Sequence, residues 1–354
     1  INSGQIGGRR NIVINGEMQV SQRVGTTATA TGNNTYIIDR YITFASGGAA
    51  YTVQQVTDTP AGFKNAAKVT ITTADSSIAA GAYALMQYRA EGVDIAHLNC
   101  GTSDAETVTL SFWVKSSLTG NFGGSWRNSA ADRTYPYLYN IAQANTWEKK
   151  SITLTLDTTG TWLTTTGIGL VFMWDFGSGT NFQGTADQWQ AGNFHSAGSQ
   201  VKLTSTNGAT WYVTGVQLEI GSTATDFEHK SFGEELALCQ RYYEKSYDYD
   251  VAVGAATYVG IHVAGGDVAR TAGTSYISGN NIVFTVRKRD NPTIVGYDQA
   301  GNAGKAQRWQ LGSHNTNDQN ATIQNAATRG FFFYSSGTSN STGVQMHFTA
   351  TAEL

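Results

Sequence analysis

The chain has 354 residues, 40% of them hydrophobic and 14% charged, with a formal net charge of -3; a typical soluble domain carries about 25% charged residues. The lack of a basic field argues against nucleic acid as a partner, and no apolar run approaches the ~18 residues a membrane helix needs. Cys100 and Cys239 are the only cysteines; they show no metal spacing and are read as free, buried thiols, with one disulfide as the alternative.

At roughly 150 residues per domain the length fits two domains, each able to bury a core. Forty glycines, with abundant serine, threonine and asparagine, are the composition of many short strands joined by polar turns. Residues 1–10 read as an N-terminal arm. The chain opens on Ile1 rather than methionine and no signal peptide is evident, so a processed product or the C-terminal part of a longer protein is expected.

In chain order, Asn11–Gln22 reads as a first strand region, with Ile12 and Ile14 on one face and Val13 on the other. Tyr41–Phe44, Tyr51–Val56 and Val69–Thr73 are further strands. In Thr107–Lys115 the residues Val108, Leu110, Phe112 and Val114 share one face at period two, which sends Trp113 to the other. Lys149–Leu156 repeats the pattern. Gly167–Phe176 is apolar on both faces, as a strand covered on both sides would be. Val201–Ser205 and Thr210–Ile220 flank Asn207-Gly208, the strongest short hairpin signal. Within the second of these the apolar phase slips at Gly215, which predicts a β-bulge.

Ser231 and Glu234 form a capping box, followed by Leu236, Cys239, Gln240 and Tyr243 at helical spacing. They predict a linking helix over 231–246 between a sandwich at 11–230 and a second β domain at 247–354. In that second domain Ile282, Phe284 and Val286 share a face. The alternation from Val344 to Leu354 predicts a strand that ties the last residues into a sheet. No short internal period appears, against a long parallel β-helix.

Several of these stretches resemble the phage tail-fibre and virion appendage proteins. NIVINGEMQVSQR (Asn11–Arg23) followed by Asp39-Arg40-Tyr41 resembles their opening. LSFWVKSS (Leu110–Ser117), NTWEKKSITL (Asn145–Leu154), FQGTADQWQAGN (Phe182–Asn193) and the long run Asn207–Ser246 resemble their central module, itself similar to a carbohydrate-binding jelly roll. VRKRDNPTIVGYD (Val286–Asp298) and HFTATAEL (His347–Leu354) resemble a trimeric C-terminal tip. Ile37-Ile38 departs from the small residues more usual before the aspartate-arginine step. The resemblance implies an all-β fold: an N-terminal jelly-roll sandwich, a linking helix and a sandwich-like tip domain, assembled as a homotrimer in an extracellular virion fibre. Its partners would be other virion proteins and a host surface polysaccharide or receptor, with neither nucleic acid nor membrane insertion. A structural calcium ion near Asn15 and Glu17, whose hard oxygens suit it, is an option of the same resemblance; no other cofactor is expected.

Chemistry by residue type favours binding over catalysis. Asp175, Asp187, Glu148, Asp248 and Asp250 are the candidate acids, but nothing in their spacing forces two of them across a cleft. Gly177-Ser178-Gly179 is not a nucleophile elbow, and His97, His195, His229 and His262 show no zinc motif. Sugars stack on flat aromatic rings beside amides and charges. The candidates are Trp126 with Arg127, the alternating Tyr135, Tyr137 and Tyr139, Trp189 in a polar loop, and Trp309. The competing reading, that these rings fill the sandwich or a subunit seam, stays open. The aromatic run Phe331, Phe332, Phe333 and Tyr334 must turn two rings away from its own core, which suits a subunit interface, and Tyr242 and Tyr243 join that set. A carbohydrate-binding module of a secreted glycan-degrading enzyme is the alternative function, and a capsule depolymerase a third.

Overall fold

The computed structural model describes residues 9–265, 275–276, 281–309, 318–337 and 343–354. The chain divides into two compact units: Ile1–Ser21, Thr26–Glu235 and Leu354 make the first, Gln22–Gly25 and Leu236–Glu353 the second. Both are β structures, as the composition implies. The expected arm at 1–10 lies outside the described residues except for Arg9 and Arg10.

The strands of the first unit are, in order, β1 (Thr29–Ala30), β2 (Thr35–Tyr36), β3 (Tyr41–Ser46), β4 (Ala50–Val56), β5 (Ala66–Thr73), β6 (Tyr83–Glu91), β7 (Thr107–Ser116) and β8 (Gly120–Arg127). There follow β9 (Arg133–Ile141), β10 (Glu148–Thr155), β11 (Ile168–Ser178), β12 (Gln183–Gly184), β13 (Gln190–Ala191), β14 (Ser196–Ala197) and β15 (Thr210–Ile220). They form a six-stranded sheet, β1-β4-β5-β15-β7-β10, and a seven-stranded sheet, β13-β9-β8-β11-β6-β3-β2. The pairings within both are antiparallel.

The core of this sandwich is aromatic. Phe112 of β7 meets Tyr139 of β9 and Trp174 of β11 edge to face, with centroids 5.3 and 5.5 Å apart. Trp211 of β15 packs on Trp174 and Phe176. Such rings carry polar tips that need partners in an apolar interior. Trp211 Nε1 donates to Tyr139 Oη (3.0 Å) and Tyr137 Oη donates to the Met173 carbonyl (2.8 Å). β11 is buried on both faces, as its continuous apolar run predicts. The bulge at Gly215 is also present: the β15–β7 register shifts between Thr214 and Gln217, and Gly215 has φ 61°.

Three local expectations fail for identifiable reasons. Residues 11–22 form no strand. The segment is almost wholly buried, and side chains stand in for a sheet partner. Asn11 donates through Nδ2 to the Val216 carbonyl, and its Oδ1 accepts from the Val13 and Leu218 amides. Asn15, at φ 61°, closes a turn by bonding the Val20 amide and carbonyl and the Asp39 carbonyl. Around Asn207-Gly208 there is no hairpin: Leu203–Ser205 is a turn of 3-10 helix, and the Gly208 amide bonds the Ile71 carbonyl instead. The helix runs only from Phe232 to Gln240. Ser231 caps it through Oγ to the Glu234 amide. Beyond Gln240 the pull of a sheet ladder overrides helical spacing, and Tyr243–Lys245 becomes a strand.

In the second unit the strands are β16 (Tyr243–Lys245), β17 (His262–Gly265), β18 (Ser275–Tyr276), β19 (Asn281–Val283), β20 (Thr293–Tyr297), β21 (Lys305–Trp309) and β22 (Asp318–Asn320). β23 (Thr322–Ala327), β24 (Gly330–Tyr334), β25 (Ser336–Gly337) and β26 (Gly343–Thr351) complete it. β26, the alternating strand seen in the sequence, is the hub: β16, β17, β20 and β21 all pair with it. For that reason its polar positions, Gln345, His347 and Thr349, are buried as well as its apolar ones. Arg287-Lys288-Arg289 is a basic run in the sequence, and its central Lys288 is buried. Its Nζ pairs with Glu244 and donates to the carbonyls of Gln240, at the helix end, and Val286. Neither cysteine is in a disulfide; Cys239 is buried but Cys100 only half so.

Candidate functional site

The aromatic candidates separate by face. Trp126 is fully buried against Phe172 (5.5 Å), and Tyr137 and Tyr139 are also buried, so these three are core residues and not ligand platforms. Tyr135, Tyr137 and Tyr139 do share one face of β9, as their alternation requires. It is the inward face, since they lie opposite Trp126, Gly124 and Phe122 of β8. Only Tyr135, at the strand end, emerges from the core and is half-buried.

At that end Tyr135 meets Trp189, 54 positions on, with centroids 5.4 Å apart at 61°. Trp162 stands edge to face behind Trp189 at 5.5 Å. Each indole is pinned by its N–H: Trp189 Nε1 to the Thr155 carbonyl and Trp162 Nε1 to the Thr159 carbonyl, both 2.9 Å. The Trp189 loop is tied down by the Asp187 amide on the Pro136 carbonyl and by Gln190, which bonds both main-chain groups of Thr185. β13 then pairs Gln190 with Thr134. Behind the ledge Arg133 Nε donates to Asp157 (2.6 Å), and Asn128 bridges Asp132 and the Thr161 carbonyl.

The Tyr135 hydroxyl bonds no described residue. Burial, and second the Asp187 charge, raise its pKa above the ordinary phenol value, so it stays a neutral donor at physiological pH. The result is a rigid half-exposed aromatic ledge edged by hydroxyl, amide and carboxylate groups. Trp162 was missed in the sequence although its setting, a ring alone in the polar run TTGTWLTTTG, is the signal that singles out Trp189.

Arg127 lies on the opposite, outer face of β8. Cross-strand register places Gln190, Thr134, Arg127, Val171 and Arg89 in one row across five strands. Beneath and beside this row Leu85, Val171 and Met173 form a small buried cluster, with Phe44, Tyr83 and Ile168 packed on it. His195 stacks on Phe182 (4.3 Å, 4°), and Tyr83 meets both edge to face at 5.1 Å.

The candidate acids do not converge. Asp175 is buried, accepting from the Gly177 amide and Gln200 Nε2 (2.7 and 2.8 Å), and burial raises its pKa to about 6. Glu148 pairs with Lys150, and Asp187, Asp248 and Asp250 are exposed. Ser178 Oγ and His195 Nδ1 are 3.2 Å apart; burial lowers the His195 pKa to about 3, so the ring is neutral. Among the described residues no group of three or more His, Cys, Asp or Glu side chains could hold a metal ion. Near Asn15 and Glu17 the oxygens already accept from protein donors: Asn15 Oδ1 from the Val20 amide, Glu17 from His229 and Gln19 (both 2.6 Å).

In the second unit Phe331 and Phe333 are core residues (3% and 0% exposed), which removes them from a subunit interface. Phe332 and Tyr334 face the other way, half-buried, 6.1 Å apart. Tyr242 and Tyr243 are buried within this chain and also leave the interface set; Tyr243 carries Arg23 over its ring at 3.8 Å. The backbone of Trp309 pairs with Gly343, and its side chain lies outside the described residues.

No protein-family model matches the chain. No curated protein matches it either. Solved structures do. The enzymatically active domain of tailspike protein 4 from bacteriophage CBA120 is 12% identical over 60% of this chain, with a TM-score of 0.31. The chain covers only 22% of that domain. A CBM61 module in complex with β-1,4-galactotriose is 8% identical over 61% of this chain and 100% of its own (TM-score 0.29). The family 11 carbohydrate-binding module of a Clostridium thermocellum cellulosomal cellulase is 12% identical over 58% of this chain and 99% of its own (TM-score 0.26). At these identities and scores no function is carried across. Among the described residues no helix is long and apolar enough to cross a membrane.

Proposed function

We propose that the chain is a non-catalytic, glycan-binding component of a phage fibre, homotrimeric in the virion, that holds a host surface polysaccharide. The observation that carries glycan binding is the Tyr135–Trp189 ledge. The Trp189 indole is fixed by its hydrogen bond to the Thr155 carbonyl and backed by Trp162, and it lies half-exposed beside Tyr135, whose hydroxyl bonds no described residue. Ring faces pack on the apolar faces of a pyranose, and the surrounding amides and carboxylates satisfy its hydroxyls. Because the indoles are immobilised before binding, little side-chain entropy is lost on contact. The fibre assignment is supported by the sequence resemblance at Asn11–Arg23, Asn207–Ser246 and His347–Leu354. Weak single contacts would then gain strength by repetition along a trimer.

Glycan-array screening followed by titration calorimetry tests the reading. Trp189→Ala should weaken binding of the selected polysaccharide by about 30-fold, the effect of removing a hot-spot tryptophan worth ~2 kcal/mol. It should leave the melting temperature within ~2 °C. No saccharide bound, or equal affinity without Trp189, would remove the proposal. Light scattering separates the fibre from the alternative of an accessory module on a secreted glycan-degrading enzyme: a monomer that binds fully at micromolar concentration favours the latter. Loss of polymer length on incubation would instead mark a depolymerase.

A further inference from the structure

Arg127 is a cation with no counterion among the described residues. Its Nε is shielded from solvent and makes no hydrogen bond, and no described acid pairs with it. Two residues earlier on the same face, Ser125 is fully buried and its Oγ also lacks a partner. Nearby Arg89 is occupied, donating to Gln87 Oε1 and to the Leu354 main-chain oxygen. Burial, and second the Arg89 charge, lower the Arg127 pKa to about 10. The residue as a whole is half-buried, so its unpaired guanidinium is partly desolvated, which carries a cost. Most of a fold's charges avoid that state, so a surface that retains one is set for an anion supplied from outside.

We propose that this outer face of the seven-stranded sheet, centred on Arg127 with Tyr83, binds a carboxylate-bearing sugar residue. Two features select that class. The guanidinium fork matches a planar carboxylate, with two parallel hydrogen bonds. The half-buried Tyr83 ring, braced by Phe182 and His195, gives a flat apolar partner within electrostatic reach of the charge. A polyphosphate is disfavoured by the net charge of -3. The ligand class rests on the glycan-binding reading; the site is separate from the Tyr135–Trp189 ledge, which lies on the other face of β8–β9.

The test is calorimetry of the intact chain with methyl glucuronide, methyl glucoside, acetate and inorganic phosphate. The glucuronide should bind at least tenfold more tightly than the glucoside, and more weakly as salt rises. Arg127→Gln should abolish that preference, Arg127→Lys should restore part of it, and Trp189→Ala should leave it intact. Since the Arg127 side chain bonds no described residue in the free protein, Arg127→Gln should also raise the melting temperature by about 2 °C or more. Equal affinity for the two sugars overturns the proposal. So does acetate or phosphate matching the glucuronide, or a lower melting temperature in Arg127→Gln. Dissociation of an oligomer by Arg127→Gln with sugar binding unchanged would assign the cation to a neighbouring copy and likewise overturn it. Binding of neutral glycans at Trp189 with no acidic preference would sink this inference alone; failure to bind any saccharide would sink the functional reading as well.

Discussion

Trp126 and Arg127 are consecutive on β8 and serve opposite faces of one sheet: the indole is sealed against Phe172, and the guanidinium lies in the outer row across from Val171. Trp126→Ala should therefore act on stability alone, removing about 3–5 kcal/mol for a buried tryptophan. Urea denaturation would show it, and the folded fraction should keep its glycan affinity. An unchanged midpoint would mean that the ring is not in the core.

Gly215 makes the β15 bulge at φ 61°, and a Cβ there would stand 2.7 Å from the Phe63 ring. Gly215→Ala should cost about 1–3 kcal/mol, combining backbone strain with the clash. Gly208→Ala is the control, with φ 75° but nothing within 4 Å of the added carbon. It should cost less, and equal losses for the two variants would show that the Phe63 contact does not matter.

Two buried groups of the first unit give opposing pH slopes. The His195 pKa is lowered from 6.5 to about 3. The unfolded chain therefore takes up the proton first, and stability that is full above pH 6.5 is lost as pH falls toward 3. The Asp175 pKa is raised from 3.8 to about 6, so its contribution is present below pH 3.8 and lost as pH rises to 6. The histidine shift is the larger, on the order of 5 kcal/mol. His195→Gln should flatten the loss of stability between pH 6.5 and 3 in denaturant titrations. A slope identical to the parent's would show that His195 protonates freely in the fold.

Lys288 is held at the helix end by Glu244 and two carbonyls, with its amine fully enclosed. Lys288→Met leaves the Glu244 carboxylate buried without its cation, and should cost about 3–5 kcal/mol. Thermal unfolding followed by near-ultraviolet dichroism would register the loss.

The oxygens of Asn15 and Glu17 already accept hydrogen bonds from protein donors. Chelation with EDTA should leave the melting temperature unchanged, and added calcium should not raise it. A rise with calcium would place an ion at these residues.

Much of the fold was legible because period-two alternation reports burial directly. β7, β11 and β26 stand out in the sequence, and the phase slip at Gly215 marks its bulge. The pattern misleads where partners are distant in the chain. Ile12, Val13 and Ile14 look like a strand because they are apolar, yet Asn11 and Asn15 replace the ladder with side-chain bonds. Tyr243 has helical spacing from Leu236, but Thr351 claims its backbone for a sheet.

The sequence by itself determined the all-β class, the low charge, the buried double-faced strand and the set of rings from which a binding surface would be drawn. Only the tertiary structure decided which rings remain available. Strand alternation tells that Tyr135, Tyr137 and Tyr139 share a face but not which way that face turns, because its direction is set by the sheet packed across it. The structure buries two of the three, carries Trp189 and Trp162 from other loops to the one at the rim, and leaves Arg127 without a counterion among the described residues. Each of these outcomes depends on residues brought together across the fold, which no local pattern encodes.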